Sequence, residues 1–156
     1  MMISIKRTSS ENLDFCSLIE LLDKDLQLRY PGTQQNFDAF NVIKQDAKVI
    51  VAYDDDIAVG CGCFRATENE NIVEIKRMFV KAEKRGKGIA KSILTELEAW
   101  ALEEGMISAI LETGINSPEA VSLYKKLGFE QIENYEPYIN SDDSICMRKD
   151  FSRKIS

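Results

Sequence analysis

Apolar residues recur along this chain with two different periods, and the switches between them divide it into elements. Phe15, Leu18, Ile19, Leu22 and Leu26 return every three to four positions, which predicts a helix from about residue 11 to 29, stopped by Pro31-Gly32. A shorter strand-like run, Ile3 to Lys6, precedes it, and Phe37, Phe40 and Ile43 mark a second, weaker helix closing near Asp46. The period then shortens. KVIVAYD (48–54) and IAVGCGCFRAT (57–67) are β-rich runs joined by an acidic turn, a hairpin pattern, and IVEIKRMFV (72–80) follows the polar turn ENEN.

The second half alternates the two periods. Ile89, Ile93, Leu97 and Trp100 form one helical stripe, with Gly105 placed to end it. ISAILET (107–113) has the profile of a buried strand. Ser117-Pro118-Glu119 then offers a cap, a proline at the first helical position and an acid near the positive end of the dipole, predicting a helix through Tyr124 to Leu127 that stops at Gly128. FEQIENY and SICMRKDF supply two final strands around a loop at 136–143. The expected fold class is α/β with mixed character: a sheet of about seven strands with four helices distributed over both faces.

Length fits one domain over residues 1–156, with 44% hydrophobic and 29% charged residues in 156. The opening MMISIKRTSSEN lacks the apolar stretch of a signal peptide, and no run approaches the ~20 apolar residues of a membrane helix, so a soluble cytoplasmic protein is expected. Cysteines at 16, 61, 63 and 146 form no C-x-x-C pair and there is no histidine, which argues against a structural metal. Cys61 and Cys63, two apart on a strand, point the same way and are expected to be reduced core thiols.

Charge changes the picture locally. Residues 76–91 hold Lys76, Arg77, Lys81, Lys84, Arg85, Lys87 and Lys91 against Glu83, a net +6 in a chain whose total is −6, leaving −12 elsewhere. Such an island suits a small polyanion bound at one place better than nucleic acid bound along a face. Inside it, Arg85-Gly-Lys-Gly-Ile-Ala90 lies between a strand and a helix start. Unpaired N–H groups, the dipole and close backbone approach at glycine suit a pyrophosphate there. The spacing is neither a P-loop nor a dinucleotide fingerprint.

Arg85-x-x-Gly88-x-Ala90 after IVEIKRMFV resembles the coenzyme A signature of the GNAT superfamily of N-acetyltransferases, and ETGINSPEAVSLYKKLGF (112–129) resembles its second motif. The resemblance is specific over residues 72–129 and loose before 48. It implies a mostly antiparallel mixed sheet and acetyl-CoA as co-substrate, without a metal. Backbone groups of Met78, Phe79 and Val80 would pair with the pantetheine arm. The N–H groups of Gly86, Lys87, Gly88, Ile89, Ala90 and Lys91 would hold the pyrophosphate, with charge added by Arg85.

In that superfamily an amine attacks the thioester directly, which requires a base for the ammonium and an acid for the thiolate. Glu74, six residues before Val80, is the candidate base through water, against an ion pair with a neighbour such as Lys76 or Arg77. If the strand is regular, Glu74, Lys76, Met78 and Val80 share one face. Tyr124 is the candidate acid, against an ordinary core tyrosine. Many relatives carry Asn where Ser117 stands; Asn116, one residue earlier, is the candidate cofactor ligand that the resemblance implies, and Ser117 the helix cap. A route through acetylated Cys61 or Cys63 ranks below direct transfer.

The acidic remainder favours a small cationic amine or a peptide N-terminus as acceptor, with no nucleic acid or membrane partner and homodimerisation left open. Tyr30, Tyr135, Tyr138, Asp142 and Asp143 are candidate acceptor-lining residues. The alternative function is a non-catalytic acyl-CoA binding or sensing module.

Overall fold

The structure is a computed structural model that describes residues 2–31 and 47–151. Seven strands form one sheet: β1 (Ile3–Ser9), β2 (Lys48–Asp54), β3 (Ile57–Ala66), β4 (Ile72–Val80), β5 (Ser108–Gly114), β6 (Glu130–Ile132) and β7 (Ser144–Asp150). Their spatial order is β1-β2-β3-β4-β5-β7-β6. Every neighbouring pair is antiparallel except β4 and β5, which run parallel. Among the described residues there are three α-helices, α1 (Leu13–Arg29), α2 (Ile89–Glu103) and α3 (Pro118–Lys126), with a 3-10 turn at Ala82–Lys84. The fourth expected helix, at 37–46, lies outside the described residues.

Local chemistry accounts for the helix ends. The Asn12 side chain accepts the Phe15 N–H at 2.9 Å and so caps α1. Gly105 and Gly128 follow α2 and α3 with φ of 85° and 100°, conformations that a side chain disfavours. Ser117 differs from its expected part: Pro118 does open α3, yet Ser117 makes no side-chain capping bond. Its hydroxyl instead lies 3.3 Å from both Arg29 and Tyr30 at the end of α1.

Two apolar layers cover the sheet. Phe15, Leu18 and Leu22 of α1 pack on Val49, Val51, Cys61, Cys63 and Phe79. On the other face Ile89, Ile93, Leu94, Leu97 and Ala101 of α2, with Tyr124 and Phe129, pack on Val73, Ile75, Val80, Ala109 and Leu111. Each fully buried aliphatic side chain contributes about 1.5–3 kcal/mol, so both layers hold the sheet firmly. Cys61 and Cys63 are buried free thiols facing α1, as their spacing implied.

Two irregularities in β4 create the site. Pairing with β5 covers only Ile72–Ile75 against Ser108–Leu111, and beyond that point the strands part. Along β3, Cys63 pairs with Lys76 and Cys61 with Phe79, leaving Arg77 and Met78 opposite Gly62: a β-bulge, with Arg77 at φ 60°. A Cβ at position 62 would overlap the Met78 sulfur, so glycine lets the Met78 side chain lie across β3. The bulge also corrects the expected alternation. Met78 and Val80 face the α2 layer, whereas Phe79 joins the α1 layer and Arg77 reaches Asp23 of α1. Glu74 and Lys76 therefore do not share a face with Met78 and Val80.

Candidate active site

The parting of β4 and β5 opens a cavity of about 480 Å³ whose walls come from α1, both strands, the 84–91 loop, α3 and the segment leading into β7. Its mouth is the basic loop. Gly86 and Gly88 stand at φ 78° and 81°, and the space where a Cβ would sit is empty at both. Helix α2 starts at Ile89 with Gly88 as its cap and no acid in its first turn. The first N–H groups of a helix have no partner within it, so this end presents donors and positive potential together. Arg85 is fixed by its Nε donating to the Val80 carbonyl at 2.9 Å, and its guanidinium lies 3.7 Å from Asp25. A bound polyanion would compete with Asp25 for it. The residues thus fit a pyrophosphate.

Met78, Phe79 and Val80 line the cavity, as do Arg85, Gly86, Gly88, Ile89, Ala90 and Lys91; Lys87 is exposed beside them and outside the lining. Asn116 is placed elsewhere. Its side-chain amide donates to the Arg29 carbonyl at 3.0 Å, and its backbone N–H donates to the Tyr30 hydroxyl at 3.0 Å. Arg29 also pairs with Glu119 and Asp25. These contacts tie the end of α1 to the start of α3 across the top of the cavity.

The inner end is buried and polar. Lys76 and Glu112, the residues just beyond the last β4–β5 pair, stand on opposite walls. The Lys76 ammonium donates to the Tyr138 hydroxyl at 3.0 Å, and burial pulls its pKa below the usual lysine value. Glu112 accepts from the Ser144 hydroxyl at 2.6 Å, and burial pushes its carboxyl above the usual range despite that bond. Tyr124, on α3, reaches the cavity with its ring 5.8 Å from Phe129. Burial, and secondarily the Glu112 charge, holds its phenol above the ordinary tyrosine value.

Glu74 sits behind this wall and does not line the cavity. One carboxylate oxygen accepts two bonds from Arg65, at 2.7 and 2.9 Å. The other accepts from the Tyr135 hydroxyl at 2.9 Å and lies 4.0 Å from Lys76. Both oxygens are thereby oriented by neighbours, and the main ion-pair partner is Arg65 rather than Lys76 or Arg77. The Cys61 and Cys63 thiols contact the Arg77 and Lys76 carbonyls, and burial pushes Cys63 up to about 12. A thiol so far from ionising is a poor nucleophile.

Of the expected acceptor-lining residues, Tyr30, Tyr138 and Asp143 line the cavity, Tyr135 braces Glu74, and Asp142 stays outside the lining. Sequence reasoning missed Glu112 and Lys76 as cavity groups. The available signal was charge inside a β-rich run, Lys76 midway along β4 and Glu112 after the apolar part of β5.

Residues 15–129 match the model of the Acetyltransferase (GNAT) family. An IAA acetyltransferase of Azospirillum brasilense is 32% identical over 148 residues, 94% of this chain and 97% of that protein. A Klebsiella pneumoniae protein provisionally named an acyl-CoA N-acyltransferase superimposes with a TM-score of 0.80 at 27% identity, covering 96% of this chain and 97% of that one. The PaiA N-acetyltransferase of Thermoplasma acidophilum, solved with coenzyme A, gives 0.73 at 21% identity over 97% and 100% of the two chains. Among the described residues no helix is long and apolar enough to cross a membrane.

Proposed function

Since the chain belongs to the GNAT family of acetyltransferases, we propose that it moves an acetyl group from acetyl-CoA to a primary amine by direct attack within a ternary complex. The observation that carries this reading is the continuity of the cavity. One opening leads from a helix start suited to an anion, between parted strands, to a half-buried carboxylate and a buried phenol. The acetyl thioester of acetyl-CoA supplies an activated acyl carbon and a good leaving group.

The chain's own residues divide the remaining work. Gly86 to Lys91 and Arg85 hold the pyrophosphate, and the backbone of Met78 to Val80 aligns the pantetheine arm along β4. Glu112 takes the proton of the acceptor ammonium, since its raised pKa lets it accept a proton more readily than an ordinary carboxylate. Tyr124 returns a proton to the sulfur; its own raised pKa keeps the phenol protonated at neutral pH. Glu74, favoured as base by its sequence position, acts instead by orienting Arg65, Tyr135 and Lys76. Tyr30 and Asp143 belong to the acceptor side, and Asn116 to the tie between α1 and α3.

Release of free thiol from acetyl-CoA, measured across a broad panel of amines with wild type and Tyr124→Phe, tests the reading. Saturable amine-dependent release that falls about 10²-fold in the variant, with coenzyme A affinity retained, is expected. Tight coenzyme A binding with no release from any amine would point to an acyl-CoA sensing module.

A further inference from the structure

The inner end of the cavity holds more positive charge than an ammonium acceptor can use. Lys76 has a side chain only 6% exposed, and its nearest carboxylate, Glu74 at 4.0 Å, is already engaged at closer range by Arg65. Beside it, Arg77 is 4% exposed and pairs through one terminal nitrogen with Asp23 at 2.6 Å. The Arg77 Nε is buried and has no hydrogen-bond partner among the described residues. Both residues line the cavity, and Arg77 is held there in a left-handed backbone conformation by the bulge opposite Gly62. Strained backbone carrying a buried, incompletely bonded cation is an arrangement that persists where a ligand completes it.

Charge balance indicates what that ligand brings. When Glu112 receives the acceptor's proton, its negative charge disappears and Lys76 keeps as counter-charge only Glu74, at 4.0 Å and shared with Arg65. A polyamine would add further positive charge at that point. A carboxylate on the acceptor would cancel the excess and give Lys76 and the Arg77 Nε a strong acceptor. The placement agrees with this. Lys76 and Glu112 follow directly on paired residues of adjacent strands and stand on facing walls of the cavity. An acceptor that carries both an amine and a carboxylate meets the two together.

We propose that the acceptor is an amino acid, its ammonium directed to Glu112 and its carboxylate bound by Lys76 with Arg77. Lys76 is then the residue that sets specificity. This deepens the transferase reading and rests on it. It differs from the cationic acceptor expected from net charge: the acidic remainder acts at long range on the outside, whereas the inner end sets the buried cations Lys76 and Arg77 beside Glu112.

The test compares amino acids with their primary amides, with the decarboxylated amines and with spermidine, reading kcat/KM from thiol release. At least one amino acid is expected to exceed its own amide by on the order of 10²-fold, as when one partner of a buried charged hydrogen bond is removed. In Lys76→Gln that ratio should fall below about 3-fold, with coenzyme A binding by calorimetry unchanged. Amides, simple amines or spermidine used as well as the amino acids would overturn the proposal while leaving acetyl transfer intact. Wild type that binds coenzyme A and acetylates nothing would overturn both. If Lys76→Gln fails to bind coenzyme A through misfolding, the wild-type ratio of acid to amide decides by itself.

Discussion

The two ends of the cavity are built by opposite means. At the mouth, Arg85 to Lys91 is one continuous segment, exposed apart from Ile89 and Ala90, and it works through backbone groups that two left-handed glycines leave open. At the inner end, Lys76, Tyr124, Tyr138 and Ser144, which are buried, and Glu112, which is half-buried, arrive from five separate places in the chain and present side chains. A helix start and a glycine turn need only neighbours in sequence, so the mouth tolerates change outside those few positions. The inner end depends on where β4 and β5 stop pairing, and small alterations there should be costly.

The largest effect should come from the inner carboxylate. Glu112→Gln is expected to lower kcat by about 10³-fold. In wild type, kcat/KM should rise as pH passes through the raised Glu112 pKa, and this limb should vanish in the variant. Turnover within a few-fold of wild type, with the limb intact, would return the base to Glu74. The same shift bears on stability. A carboxyl whose pKa is raised by folding stabilises the protein fully below its ordinary value, and that contribution is lost as pH rises through the raised one. Glu112→Gln should flatten this decline in thermal melts.

Next comes Tyr124→Phe, with kcat down by about 10²-fold and coenzyme A affinity unchanged. Glu74→Gln should divide the two carboxylates by kind of effect. Removing one partner of a buried pair costs about 3 kcal/mol, so the variant should melt roughly 6–12 °C lower, with a smaller loss of kcat than Glu112→Gln. At the mouth, Arg85→Ala should raise the KM for acetyl-CoA roughly 10-fold, as for one exposed charged hydrogen bond, and leave kcat nearly constant. Asn116→Ala, which touches only the tie to α1, should change acetyl-CoA KM by less than about 3-fold and stability by under ~1 kcal/mol. A larger change in KM would place Asn116 among the donor ligands after all.

Residue order alone carried the order of the described elements, the glycine turn ahead of α2 and the place of Tyr124 on α3, because each depends on periodicity, glycine or capping chemistry within a few positions. It also foresaw Cys61 and Cys63 as buried thiols from their spacing of two. The faces of β4 were another matter. Regular alternation grouped Glu74 with Met78 and Val80, and the bulge at Arg77 and Met78 separated them; it lies opposite Gly62 of β3, in the pairing of two strands rather than in local residue order. Ser117 and Asn116 likewise looked local, a cap and a ligand, until the end of α1 claimed both.

What the sequence determined by itself was therefore the family of fold, the glycine turn between β4 and α2 and the order of the pieces. The tertiary structure decided which carboxylate faces the cavity and which cation lacks a full set of partners among the described residues. The physical reason is that backbone propensity acts over a few residues. Burial, charge balance and the end of strand pairing are properties of the assembled sheet, fixed only when β4, β5 and α1 meet.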